Sequence, residues 1–189
     1  VSFRNTYGVA TETLLKTLIN KGFRTFVLFG NGGGLSPSVT LNQIYAPGTF
    51  SYQGKQYLLH NRALADYPEA SIIKVRSILD ESQSWLRNNQ QYDLVDVENV
   101  DAARTLYGLK NLYFYSGVLV SDRPGEQDIT HKNEDSKDLI QLKRSFFFKV
   151  LQKIIWQEQG LMSHGSNTLV MPCANSECET PEYIWQRAS

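Results

Sequence analysis

Cysteine is scarce in this chain: Cys173 and Cys178 stand alone, close together near the end. No Asn-x-Ser/Thr acceptor site occurs. Both scarcities point to a cytoplasmic protein, while a short-loop disulfide between the two cysteines stays open. No apolar run approaches the ~20 residues that cross a bilayer, so a spanning helix is not expected. Net charge is missing too. Nineteen Lys and Arg balance nineteen Asp and Glu, which gives no support for the basic surface that nucleic acid or an anionic membrane requires. His60, His131 and His164 lie far apart without ligand spacing, and the cysteines have no second Cys or His pair. Neither a metal nor a cofactor is therefore expected. The chain starts at Val1 rather than Met, with no signal-peptide pattern before its first helix. It reads as a fragment whose upstream elements lie outside it.

What is present suffices for one domain with a sizeable core, expected over residues 1–189 with a loop-rich tail from 160. The pattern alternates strands and helices. A helix is predicted over Val9 to Lys21, stopped by Gly22, then a strand Thr25–Phe29 broken by Gly30-Asn31-Gly32-Gly33-Gly34. Gln43–Pro47 reads as a strand and Phe50–Leu59 as a hairpin turning at Gly54-Lys55. Ser71–Val75 is a further strand, and Asp80 is expected to cap a helix running to Asn89. After Tyr92–Glu98, a helix over Asn99–Tyr107 ends at Gly108. The near-continuous apolar run Leu112–Val120 predicts a central strand covered on both faces. A polar loop follows over Arg123–Lys137. The longest helix then covers Asp138–Gln157, with Leu139, Leu142, Phe146, Val150, Ile154 and Ile155 on one side. Such alternation argues a three-layer α/β/α fold, and the hairpin makes the central sheet mixed.

Chemistry collects at three strand ends. The central strand delivers Ser121-Asp122, the strand before it delivers Glu98, and the first ends in bare glycine backbone. Open α/β sheets bind ligands at carboxyl ends of strands. The glycine cluster fails the dinucleotide pattern, which would need glycine where Leu35 stands, and it lacks the Gly-Lys-Ser/Thr ending of a P-loop. A tight turn explains it equally well, and a solvated strand end or helix start would explain Asp122 or Glu98 singly.

Taken in order, these landmarks resemble the nucleoside phosphorylase and nucleosidase superfamily, which includes purine nucleoside phosphorylases and methylthioadenosine nucleosidases. Gly30-Asn31-Gly32-Gly33-Gly34-Leu35 looks like the family's Gly-Ser/Thr-x-Gly-Gly-Leu loop, with asparagine replacing the hydroxyl residue. Asp96-Val97-Glu98 resembles its Asp-Met-Glu element, and Val120-Ser121-Asp122 its Val/Ile-Ser-Asp strand end. The resemblance runs from Gly8 to Gln157, with the family's amino-terminal strand upstream of Val1.

The resemblance implies an N-glycosidase acting on a purine nucleoside or nucleotide. Asp122 would protonate the departing base at N7, and an anionic Glu98 would hold a ribose hydroxyl. Val97 would pack beneath the sugar, with Ser121, Asn31, Gly32 and Gly33 lining the base and the nucleophile side. Breaking an N-glycosidic bond puts positive charge on the ribose and negative charge on the base, which an acid at one end and an anion at the other would meet. The family's phosphate-gripping arginine would fall at Leu28, flanked by apolar Val27 and Phe29. Loss of a bidentate phosphate ligand favours water as nucleophile. A phosphorylase with an altered phosphate site and a non-catalytic nucleoside sensor or scaffold are the alternatives. The implied partners are a small-molecule nucleoside or nucleotide and further copies of the chain, as a homo-oligomer.

Overall fold

Alternation in the first strand decides the layering. The computed structural model describes residues 8–59, 64, 66–77, 80–125 and 137–158. Helix α1 (Val9–Asn20) leads into β1 (Thr25–Gly34). The β1 side chains Phe26 and Leu28 join Leu15 of α1 and Ala102 and Leu106 of helix α3 (Asn99–Leu106). Val27 and Phe29 point the other way, into a cluster with Phe146 and Val150 of helix α4 (Lys137–Glu158). A strand of period two thus buries apolar residues against both helical layers. The expected three-layer α/β/α architecture with a mixed sheet is the one observed.

The remaining elements are β2 (Ile44–Tyr52), β3 (Lys55–Leu58), β4 (Glu69–Lys74), α2 (Gln83–Asn88), β5 (Leu94–Asp96) and β6 (Tyr113–Asp122). Among the described residues six strands order as β3-β2-β4-β5-β1-β6, and β2 also pairs with β6, closing the sheet on itself. β1 runs parallel to β6 and antiparallel to β5. Gly117 of β6 faces α4: a Cβ there would lie 2.5 Å from Cε2 of the fully buried Phe146. All sheet elements lie within residues 1–155. Among the described residues no helix is long and apolar enough to cross a membrane.

Local chemistry explains most boundaries. At the end of α1, Gly22 takes φ 93°, and the N–H groups of Gly22 and Phe23 donate to the carbonyls of Ile19 and Leu18. This is the pattern that closes a helix with a left-handed glycine. Gln53 and Gly54, both with positive φ, make the tight turn joining β2 to β3.

Four expectations are corrected. The glycine cluster does not break the first strand, because parallel pairing with β6 carries β1 on to Gly34. Gln43–Pro47 and the first arm of the hairpin form one strand, with its pairing to β4 shifting between Pro47 and Thr49. Ser82, not Asp80, caps α2, its hydroxyl accepting from Trp85 N–H at 3.3 Å. Ile155 faces outward, 43 % exposed. The tail and most of the polar loop after Arg123, with His60, His131, His164, Cys173 and Cys178, lie outside the described residues.

Candidate active site

A bulge sets the first carboxyl. β6 follows β1 residue for residue up to the pair Gly32↔Val120, then skips Ser121 so that Asp122 stands opposite Gly33. An extra residue in one strand re-aims the side chains that follow it. Ser121 Oγ donates to Asp122 Oδ1 at 2.9 Å. The chain then folds back: Pro124 covers Gly33, where a Cβ would lie 2.7 Å from Pro124 Cγ and 3.0 Å from Val95 Cγ1. Arg123 donates to the carbonyls of Ser36 and Val39, clamping this turn to the segment after β1.

The second carboxyl sits where β5 meets α3. Asp96 ends the strand, Val97 and Glu98 make the turn, and Asn99 opens the helix. Asn99 N–H donates to both Asp96 carboxyl oxygens, at 3.2 and 3.1 Å, and its Nδ2 also donates to Asp96. Burial holds the Glu98 carboxyl well above the usual range, at about 8, with the neighbouring Asp96 and Asp101 adding to the rise. Burial likewise lifts Asp96 to about 6 against the bonds from Asn99. Glu98 is therefore mainly protonated at neutral pH, in place of the anion expected from sequence.

The glycine segment of β1 lies between these two groups. Val95, Gly33 and Asp122 form one row across β5, β1 and β6, which puts the Cα atoms of Val95 and Asp122 about 10 Å apart, two strand spacings. β5 runs against β6, so its chain reaches Glu98 heading towards the start of β1; a Cβ at Gly30 would sit 3.6 Å from Asn99 Nδ2. Asn31 is exposed, while Gly32 and Gly33 are buried. Gly32 is hemmed in by Val118 and the Val95 carbonyl, so close strand packing alone accounts for glycine at 32 and 33.

Two clefts open nearby among the described residues. One of about 450 Å³ is lined by Tyr52, Lys74, Arg76, Trp85 and Tyr92. The other, about 250 Å³, lies between α2 and the 123–125 turn, walled by Gln83, Leu86, Arg87 and Pro124. Neither is lined by Asp122 or Glu98.

Glu81 is the residue that sequence reasoning missed. Burial pushes its carboxyl up to about 7, and the charge of Asp122 adds to the rise. It precedes α2, whose Gln83 and Leu86 pack around Gly125. No local signal marks it, since its partner lies far along the chain. At the position of the family's phosphate arginine, Leu28 packs in the apolar cluster of α1 and α3. Two cations of the neighbouring elements pair with acids: Lys74 with buried Asp101, and Arg104 with both Asp101 and Glu12. Among the described residues no group of His, Cys, Asp and Glu could hold a metal ion.

No family model matches the sequence, and no curated protein does. Solved structures match well. A 5′-methylthioadenosine/S-adenosylhomocysteine nucleosidase from Colwellia psychrerythraea, in complex with adenine, superposes with TM-score 0.59 at 17 % identity, covering 71 % of this chain and 69 % of that one. A futalosine hydrolase mutant of Helicobacter pylori gives TM-score 0.65 at 11 % identity, covering 80 % of this chain and 79 % of that one. A Chlamydia trachomatis protein described as MTAN gives TM-score 0.55 at 18 % identity, over 70 % of this chain. The match spans only 65 % of that protein's length. At such identities the likeness is one of fold, and the resemblance drawn from three short motifs holds at that level: the chain has the fold of the nucleoside phosphorylase and nucleosidase superfamily.

Proposed function

We propose that the chain is a nucleosidase-type N-glycosidase, hydrolysing the N-glycosidic bond of a purine nucleoside or nucleotide. The observation that carries this reading is the β6 bulge that sets Asp122 opposite Gly33, at a strand end of a nucleosidase fold. Asp122 donates a proton or hydrogen bond to N7 of the leaving base, and Ser121 holds its carboxyl. Such general acid catalysis contributes ~10²–10⁴-fold. Glu98, its proton held by burial, meets a ribose hydroxyl as a neutral donor and orients the sugar without gaining or losing a proton in the step. Val97 packs beneath the sugar, and Asn31, Gly32 and Gly33 present backbone between the two acids. Apolar Leu28 leaves no cation where phosphate would be gripped, which supports water as the nucleophile. The working form is proposed to be a cytoplasmic homo-oligomer.

The test is release of free base from adenosine, inosine, AMP and methylthioadenosine, with and without phosphate. Release without phosphate is expected. Release only with phosphate would favour a phosphorylase. Nucleoside binding without release would favour a non-catalytic sensor, a reading supported by the packing of Pro124 over Gly33.

A further inference from the structure

Three polar side chains without a part in the chemistry above lie in the interior. Asp96, Asn99 and Ser116 are 5, 0 and 0 % exposed, and they come from β5, α3 and β6. Ser116 Oγ donates to Asn99 Oδ1 at 2.6 Å. That bond fixes which way the amide faces, so its Nδ2 turns to Asp96, which also accepts from the Asn99 and Glu98 backbone N–H groups. A buried polar chain is expensive unless every member is bonded, and apolar residues of similar size would pack the same space.

Its placement suggests a use. Val97 and Glu98 lie inside the loop closed by the Asp96–Asn99 bonds, and the Glu98 carbonyl accepts from Asp101 and Ala102 N–H. The backbone of 96–99 is thereby held on both sides of Glu98. Ser116 lies on β6, opposite Leu28, and the same strand runs on to Asp122 opposite Gly33. One strand therefore carries one acid and anchors the other.

We propose that Asp96, Asn99 and Ser116 form a positioning chain that ties Glu98 to the strand bearing Asp122, fixing the separation of the two carboxyls for a single nucleoside. The inference rests on the nucleosidase reading. The charged groups around Glu98 are Asp96 and Asp101, with Lys74 and Arg104 paired to Asp101 and Glu12 of α1 paired to Arg104. Asp96 is thus the fixed negative neighbour through which the chain acts on Glu98.

Two variants test it. Ser116→Ala removes the anchor but keeps every Asp96 bond; kcat for base release should fall ~10–100-fold with a smaller change in KM, as for other supporting contacts. Asp96→Asn removes the charge at similar shape; the Glu98 carboxyl, followed by ¹³C NMR, should then titrate about one pH unit lower. A merely structural role would lower thermal stability and leave both readouts unmoved. Folded variants with unchanged turnover and unchanged Glu98 titration overturn the proposal. If the wild-type protein releases no base from any nucleoside, the nucleosidase reading fails, and the Glu98 titration still decides this inference. Should Asp96→Asn fail to fold, base release by Ser116→Ala decides, an unchanged kcat again overturning it.

Discussion

Glu98→Gln should make the protein more resistant to unfolding in alkaline solution. The folded protein holds the Glu98 proton up to about pH 8, against an ordinary 4.5. Across that window the folded state binds more protons than the unfolded chain, so stability falls as pH rises. Each pH unit in it weighs ~1.4 kcal/mol against the fold, ~5 kcal/mol in all for a fully buried group. Glu98 is only partly buried, and water screens it, which reduces the figure to ~2–3 kcal/mol. Glutamine has nearly the same shape and never ionises. The difference between variant and wild type should therefore be near zero at pH 4.5, grow through neutrality and level off near pH 9. Burial also raises Asp96 and Glu81, to about 6 and about 7. Both acids are present in either protein, so to first order they cancel. Urea unfolding at pH 4.5, 7 and 9 measures this directly, and at this chain size 1 kcal/mol also moves Tm by ~2–4 °C. A difference independent of pH, or a variant less stable at pH 9, would refute the reasoning.

Asp122→Asn should reduce base release by ~10²–10⁴-fold while leaving the circular dichroism spectrum and Tm near wild type; unchanged turnover would remove Asp122 from the acid role. Gly117→Ala should destabilise by ~1–3 kcal/mol through overpacking, because its methyl group meets the Phe146 ring. Pairing it with Phe146→Leu should recover part of the loss, as read by denaturant midpoint; no recovery would place the strain elsewhere.

Much of the frame is legible in the residues. Gly22 stops α1, Gly108 turns left-handed after α3, and the apolar run into Val120 is a strand buried on both faces. These signals are local, so short windows contain them. The glycine cluster misleads because a glycine run reads as a break, whereas here Val118, Pro124 and Val95 demand the missing side chains. Ser82 and Asp80 are both plausible caps, and only the backbone geometry separates them. The bulge at Ser121 is a property of two paired strands and leaves no trace in either. The same holds for Glu81 beside Asp122 and for the charge state of Glu98, which depends on burial and on Asp101 packed from the following helix. Sequence named the two carboxyls; tertiary packing keeps the proton on Glu98.

Sharing of one ligand by Asp122 and Glu98 is tested most directly by the structure of the protein bound to an uncleavable purine C-nucleoside. In that complex the Asp122 carboxyl should stand at the base and the Glu98 carboxyl at a sugar hydroxyl, each within hydrogen-bond reach, roughly 2.6–3.2 Å. A nucleoside seated in the cleft of Tyr52, Trp85 and Tyr92, or touching only one of the two acids, would contradict it.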